Sequence, residues 1–265
     1  MKLIIRHIHL IFFKTFRLNI NLLTLLWCIA IIPFLPELSF SDEDTDPTAL
    51  LQYYMNTMTC SLNDKNGGNY FIVEETADSS FVNSVLIYVD KRKKINNILT
   101  LKSPYKMNCL ALSNNSSVLF IGGDFNMILN KKRKNAAAIF TRNNVLTEWD
   151  PSPDGTVNAI AVQGNNRVLT GGNFNKIFGK PAYYIAVTNL RTKTLMPWNL
   201  SPNGKVETIT LSNNQNIVYI TGRFTDISGQ PRNNYAAFNL STNSLTDWNP
   251  QSSSWVNSTL ISSVE

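Results

Sequence analysis

The sequence predicts an all-β fold built from repeated four-stranded antiparallel units, on three observations. Short apolar motifs recur at a constant spacing, and each repeat holds four apolar or β-branched segments separated by turn residues. No segment after Leu50 shows a long helical period. Units of four short strands repeated every ~40 to 50 residues are typical of β-propellers. We therefore expect a β-propeller of four-stranded blades.

Four motifs define the repeat, and they keep a period of 49 or 50 residues. The first motif is an apolar segment that starts at Met107, Val157, Val206 and Val256. The second is a glycine-containing strand with a following phenylalanine, at Gly122, Gly123 and Phe125, at Gly171, Gly172 and Phe174, and at Gly222 and Phe224. The third is an alanine, at Ala137, Ala186 and Ala236, and the fourth is a tryptophan, at Trp149, Trp198 and Trp248. Because four independent motifs share one period, we attribute the repeat to the fold.

The motifs divide residues 58–265 into a repeat array. Its units are a degenerate copy at 58–106, which lacks the Gly pair and the Trp, three full copies at 107–156, 157–205 and 206–255, and a partial copy at 256–265. This count leaves three arrangements open. The units form a four-bladed ring with a spare strand, an open array that pairs with another copy of the chain, or a shortened relative of a longer propeller.

Each element of the repeat has a physical reason. In the third unit the predicted strands are Val157–Val162, Arg167–Thr170, Tyr183–Asn189 and Thr194–Trp198. Gly and Asn residues supply the turns between them. A glycine pair is expected where another backbone approaches a strand closely. The tryptophan supplies a large apolar wedge between neighbouring sheets.

The G-G-x-F strand and the W-x-P strand end resemble those of the kelch-like propeller repeats of bacterial exported proteins, and they are similar to those of fungal cortical bud-site markers. The W-x-P motif stands at Trp149-Asp150-Pro151 and Trp248-Asn249-Pro250, whereas Leu200 takes the place of the proline in the unit between them. The resemblance covers about residues 107–261 well and 58–106 weakly. It implies a propeller with a scaffold or recognition role and no catalytic residues.

The first 41 residues predict a secretory signal peptide. Four basic residues precede an uncharged stretch from Leu18 to Pro36, and small residues at Ser39 and Ser41 suit cleavage before Asp42. The alternative is an uncleaved signal anchor, because the apolar run is just long enough to cross a bilayer. In either case we expect an exported protein, periplasmic or secreted, with residues 42–57 as a flexible segment.

Removing residues 1–41 also removes both histidines, His7 and His9. A mature chain without histidine has no Ser-His-Asp or Cys-His machinery and no imidazole metal site. The remaining chain carries 20 basic and 17 acidic residues, so the basic character of the whole sequence is partly due to the N-terminal segment. We predict no cofactor, no metal and no nucleic-acid partner, and a membrane contact only through an uncleaved N-terminal segment.

The loops between second and third strands and between successive blades should share one face, which is the default binding surface of such a fold. The candidate ligand-binding residues there are Lys131, Lys132, Arg133, Lys176, Lys180, Arg232, Asp150 and Asp154. The basic residues suit an anionic glycan or an acidic protein, or are simply solvated loop residues. Asp150 and Asp154 carry oxygens that calcium could use, but their spacing matches no defined calcium loop.

Cys60 and Cys109 occupy the same repeat position, which Ala159 and Thr208 fill elsewhere. We expect buried, unreactive thiols there, and in an oxidising compartment the two could pair.

These observations predict an exported, non-catalytic propeller that binds a protein or a surface glycan and that could form homo-oligomers. The alternatives are a carbohydrate hydrolase or lyase on a propeller scaffold, recognisable by two carboxylates in one pocket, and a fragment of a larger propeller.

Overall fold

The computed structural model describes residues 58–78, 81–91 and 95–250. The predicted signal peptide at 1–41, the segment 42–57 and the partial unit 256–265 lie outside the described residues. Within these ranges the ordered elements are strands, and no helix there is long and apolar enough to cross a membrane. The fold is all-β, as the sequence predicts.

The chain forms one antiparallel sheet for each described repeat. Blade 1 comprises β1 (Met58–Asn63), β2 (Asn69–Asp78), β3 (Phe81–Val89) and β4 (Ile95–Leu101). It is a complete four-stranded sheet although its sequence lacks the Gly pair and the Trp. Its second and third strands are 10 and 9 residues long, so a continuous hairpin replaces the motif-bearing loop of the other units.

Blades 2 to 4 share a common plan. Blade 2 holds β5 (Lys106–Leu112), β6 (Val118–Asp124), β7 (Met127–Ile128), β8 (Lys131–Lys132) and β9 (Ala136–Phe140). Blade 3 holds β10 (Thr156–Gln163), β11 (Arg167–Asn173), β12 (Lys176–Ile177), β13 (Lys180–Pro181), β14 (Ile185–Asn189) and β15 (Thr194–Leu195). Blade 4 holds β16 (Val206–Leu211), β17 (Ile217–Gly222), β18 (Asp226–Ile227), β19 (Gln230–Pro231), β20 (Tyr235–Asn239) and β21 (Ser244–Leu245).

Two details of the predicted strands were wrong. The third strand of blade 3 begins at Ile185, because Tyr184 has a φ of 64° and so leaves the extended conformation. The fourth strand ends at Leu195, and Trp198 follows it outside the sheet. In blade 2 the fourth strand is reduced to a single bridge between Ile139 and Leu146.

The hydrophobic core lies between the blades. One cluster joins blades 1 and 2, one joins blades 2 and 3, and one joins blades 3 and 4. In blades 2 and 3 the second strand is buried on both sides by this arrangement; Leu119, Phe120 and Ile121 of β6 have no exposed surface. Continuous apolar second strands therefore follow from packing on two neighbours.

Trp149 and Trp198 lie at these junctions. The Trp149 ring packs edge-to-face on Phe120 of its own blade at 5.2 Å, and its indole N–H donates to Thr188 of the next blade. Trp198 packs edge-to-face on Phe238 of the next blade at 5.3 Å. Trp248, in the last described unit, contacts Tyr219 of its own blade and is 44% exposed.

The first strands carry a second link between blades. Each first strand has a bulge near its start, for example at Asn108 in β5 and Asn158 in β10. The Asn108 amide donates to the Val157 carbonyl, and the Asn158 amide donates to the Val206 carbonyl, both at 3.1 Å. First strands thus contact one another in chain order, β1 to β5 to β10 to β16, and among the described strands β16 makes no comparable contact with β1. The described blades form an open array, a partial β-propeller.

Candidate binding face

The four kinds of connection between strands lie on two faces of the array, two kinds on each face. The carboxylate Oδ1 of Asp154, between blades 2 and 3, accepts hydrogen bonds from the backbone N–H groups of Asn175 and Lys176 at 2.7 and 2.9 Å. Inter-blade connections therefore contact the connections between second and third strands, and we call this side the loop face. On the other side the Leu190 N–H donates to the Asn166 carbonyl, which joins the remaining two sets of connections. We call that side the opposite face.

The loop face is built on small hairpins that the sequence did not reveal. In blades 2 to 4 the connection between second and third strands folds into a two-residue ladder: β7 with β8, β12 with β13, and β18 with β19. Ile128, Ile177 and Ile227 anchor these hairpins in the inter-blade clusters. Both turn residues have positive φ, as at Phe178 and Gly179, which fits a type I′ turn. The hairpins hold side chains on a rigid base.

Asp154 acts as a cap for the hairpin of blade 3. Burial opposes its ionisation, but the hydrogen bonds from Asn175 and Lys176 outweigh this effect and lower the pKa of the carboxyl. Asn203 takes the same place before blade 4, where its side-chain oxygen accepts the N–H groups of Thr225 and Asp226. The structure thus gives Asp154 a structural role, and ligand binding by this residue stays a prediction.

We expect Asp154→Ala to lower stability by about 1 kcal/mol at pH 7, because two N–H groups lose their acceptor. A lowered pKa stabilises the native state above the ordinary carboxyl range, and this contribution disappears as pH falls through the native pKa. The difference between wild type and Asp154→Ala, measured by urea unfolding, should therefore shrink below about pH 4. Asn203→Ala is the matched control, since its effect should not depend on pH; equal pH dependence of both variants would contradict this role.

Arg133 and Arg232 also serve the fold and are not free loop cations. Arg133 donates to the carbonyls of Lys132 and Thr147 and lies 3.4 Å from the Asp150 carboxylate. Arg232 repeats the pattern with the carbonyls of Pro231 and Thr246. Both side chains join the loop hairpin to the end of the fourth-strand segment of the same blade, 14 residues further along the chain. The Asp150 carboxylate is correspondingly occupied, because it also accepts a hydrogen bond from the Ser152 hydroxyl at 2.9 Å.

Four of the predicted basic residues stay exposed on the loop face: Lys131, Lys132, Lys176 and Lys180. They stand on the two-residue strands of the hairpins in blades 2 and 3. Two large apolar side chains on the same connections are also exposed, Met127 at 51% and Tyr183 at 53%. The sequence did not reveal either residue as exposed. Met127 follows the glycine motif and Tyr183 precedes the alanine motif, and the apolar residues of both motifs are buried. Phe81, at the tip of the long hairpin of blade 1, is a third exposed apolar side chain.

No group of three or more His, Cys, Asp or Glu side chains able to hold a metal ion occurs in the described ranges. The Asp150 and Asp154 carboxylates, considered for calcium, each accept internal hydrogen bonds.

Cys60 and Cys109 are free thiols in the structure. Burial raises the pKa of Cys60, and burial together with the nearby Cys60 raises the pKa of Cys109. Because the native state keeps both protons, it should lose stability as pH rises above the ordinary thiol range. In a Cys28→Ser background, we expect the native protein to react with a disulfide reagent at pH 8 at least about tenfold more slowly than the urea-unfolded chain. Equal rates, or a preformed disulfide, would contradict the buried free thiols.

Comparison with known proteins adds little to these observations. No family model and no curated protein matches the sequence. Solved structures of U3-55K and of the RRP9 WD40 repeats are similar to this chain with 10% sequence identity and a TM-score of 0.48 in both cases. The matches cover 72% of this chain and 51% and 50% of the respective structures, so the chain spans about half of their length. The kelch-like resemblance is not confirmed, and the assignment to a β-propeller-type repeat fold rests on the strand pairing described above.

Proposed function

We propose that this protein is a non-catalytic scaffold that binds a protein partner through its loop face. The observation that carries the proposal is the pairing of exposed apolar side chains with lysines on hairpins anchored in the core. Met127 and Tyr183 would supply apolar contact area, and Lys131, Lys132, Lys176 and Lys180 would favour an acidic surface. Rigid loops reduce the entropy lost on binding.

The exposed apolar residues favour a protein over a surface glycan as the partner on this face. Methionine and aromatic side chains are enriched at protein interfaces, and lysines around them select partners by charge more than they add affinity. A glycan would be expected to use more of the polar loop side chains. Asp150, Asp154, Arg133 and Arg232 instead bind the chain itself.

The internal bonds of these charged side chains also weaken the enzyme alternative. A carbohydrate hydrolase needs two carboxylates directed into one pocket. Asp150 pairs with Arg133 and Asp154 caps a hairpin, so neither is available in the described arrangement. No observation on the described residues favours catalysis over binding.

Export of the protein is part of the proposal and is supported by sequence alone. The basic start of the chain, its apolar run and the small residues before Asp42 are typical of a signal peptide. Cell fractionation followed by N-terminal sequencing tests it. We expect an exported product that begins at Asp42; a cytoplasmic product with Met1 intact would contradict export.

Binding through the loop face is tested with an array of acidic peptides and folded acidic proteins. A charge-reversed variant with Lys131, Lys132, Lys176 and Lys180 changed to Glu should lose captured ligands at least about tenfold. A second variant, Met127→Ser with Tyr183→Ser, should lose them at high salt as well, because apolar contacts are not screened.

The matched control is Arg142→Glu with Val145→Ser, which alters one charge and one exposed apolar residue on the opposite face. It should bind as the wild type does. Loss of binding in the control but not in the loop-face variants would contradict the proposal. Binding of glycan probes alone, with no protein or peptide bound, would also contradict it.

A further inference from the structure

A polar cleft of about 380 Å³ lies on the opposite face, between blades 3 and 4. It is lined by two neighbouring hairpin loops, 163–167 and 214–216, which connect the first and second strands of their blades. Six of these eight residues are Asn or Gln, one is Gly164 and one is Arg167. It is a shallow groove that is widely open to solvent, and its volume is at the lower end of the ~300 to 1,000 Å³ range of small-ligand sites. We call it the carboxamide cleft.

The two loops are fixed to each other before any ligand arrives. The Gln163 side-chain amide donates to the Gln215 carbonyl at 2.7 Å, and the Gly164 N–H donates to the Gln215 side-chain oxygen at 2.7 Å. These bonds cross the boundary between the blades. The cleft is therefore preorganised, which reduces the entropy that a ligand must overcome.

Hydrogen bonds from the backbone determine which way the cleft amides point. A backbone N–H needs an acceptor, so each such bond assigns the oxygen of the amide that receives it. The Gly164 N–H donates to the side-chain oxygen of Gln215 in this way. The Arg191 N–H donates to the side-chain oxygen of Asn166 at 2.9 Å, and the Asn216 N–H donates to that of Asn214 at 3.0 Å. The NH₂ groups of Gln215, Asn166 and Asn214 are left as donors, and among the described residues they have no partner.

The charge of the cleft has one sign. Arg167 lines it with a guanidinium whose one hydrogen bond in the described structure goes to the Gln163 side-chain oxygen at 3.3 Å. No carboxylate of the described residues lines the cleft. Three oriented amide donors and a guanidinium suit a ligand that carries a carboxylate next to further hydrogen-bond acceptors.

We propose that the carboxamide cleft binds a carboxylated sugar unit, such as a uronate residue of an acidic polysaccharide. The carboxylate would accept hydrogen bonds from Arg167, and the sugar hydroxyl and ring oxygens would accept them from the amides of Asn166, Asn214 and Gln215. Among the described residues no apolar side chain lines the cleft, so it lacks an anchor for a large apolar side chain of a peptide ligand. This site is separate from the proposed protein-binding surface on the loop face.

The test is titration calorimetry of the whole protein with galacturonate oligosaccharides, with neutral galactose oligosaccharides of the same length as the comparison. We expect binding of the acidic series and at least about tenfold weaker binding of the neutral series, which lacks the charge-assisted bond. Arg167→Gln should weaken the acidic series by about tenfold, because it removes the charge and keeps a donor. Equal affinity for both series would overturn the proposal.

Two further variants keep the result interpretable. Asn165→Glu places a carboxylate beside the donors at a position whose side chain makes no hydrogen bond within the described structure, and it should abolish binding with little change in thermal stability. Arg142→Ala removes one cation from the same face at blade 2 and should leave binding unchanged. Binding that survives Asn165→Glu, that falls equally with Arg142→Ala, or that is found only for an acidic peptide would contradict the assignment.

Discussion

Replacing Trp149 with alanine is expected to destabilise the protein by about 3 to 5 kcal/mol, the usual range for a fully buried Trp. The side chain is 1% exposed and fills the junction between blades 2 and 3. The substitution removes the edge-to-face contact with Phe120 and leaves the Thr188 hydroxyl without its indole donor. Chemical denaturation of the whole protein, followed by far-ultraviolet circular dichroism, measures the change.

Trp248→Ala is the matched control for this prediction. It removes the same side chain at the same repeat position. Trp248 is 44% exposed, however, and it packs on Tyr219 of its own blade. We expect a smaller loss, of about 2 to 3 kcal/mol, in proportion to the smaller buried area. Similar losses for the two variants would contradict the wedge role of Trp149.

Gly172→Ala is expected to destabilise the protein by about 3 kcal/mol or more, through overpacking against a backbone that cannot yield. A Cβ at this position would lie 2.1 Å from the Thr156 carbonyl oxygen and 3.0 Å from the Val157 Cα. Both atoms belong to β10, which pairs with β11 at a bulge here. The strands would have to separate beside the buried side chain of Val157.

Gly164→Ala is the control for this substitution. Gly164 has a φ of 59°, and a Cβ at this position would have no other atom within 4 Å, so its replacement meets conformational strain without a clash. We expect a loss of about 1 to 2 kcal/mol, the energy of a left-handed residue with a side chain. A smaller effect for Gly172→Ala than for Gly164→Ala in thermal unfolding would show that β10 and β11 are not paired as described.

The repeat plan of the fold was predictable because its causes are local and periodic. Gly172 and its equivalents are needed where the bulged first strand approaches, and Val157 and Val206 open each unit as buried residues. In the fourth blade Thr221 stands where the other two units have the first glycine of the pair, and this departure also has a reason. Gly122 and Gly171 face side chains of the next blade, whereas the Thr221 hydroxyl lies 2.7 Å from that of Thr208 in its own blade.

The small hairpins on the loop face could not be predicted, because two-residue strands such as Lys176–Ile177 are too short to show an alternating pattern. Blade 1 was predicted only as a degenerate copy, whereas it is a complete four-stranded sheet. Its long hairpin replaces the motif-bearing loop, so the motifs could not reveal it.

The exposure of the lysines in the candidate site was predictable from their position in loops. The hydrogen-bond partners of its other charged residues were not predictable. Whether Arg133 is a free cation or a buried link depends on where the Thr147 carbonyl lies, which is a tertiary property. The same holds for Asp154, whose partners are 21 and 22 residues away. The exposure of Met127 and Tyr183 likewise follows from the hairpin geometry.

The central claim is that consecutive repeats form separate antiparallel sheets whose second strands lie in the middle of each blade. Amide hydrogen exchange of the whole protein, read by mass spectrometry, tests it most directly. We predict slow exchange in β6, β11 and β17, with a period of about 50 residues, and fast exchange at the hairpin loops 141–144 and 164–166. Protection without that period, or fast exchange throughout β11, would contradict the account.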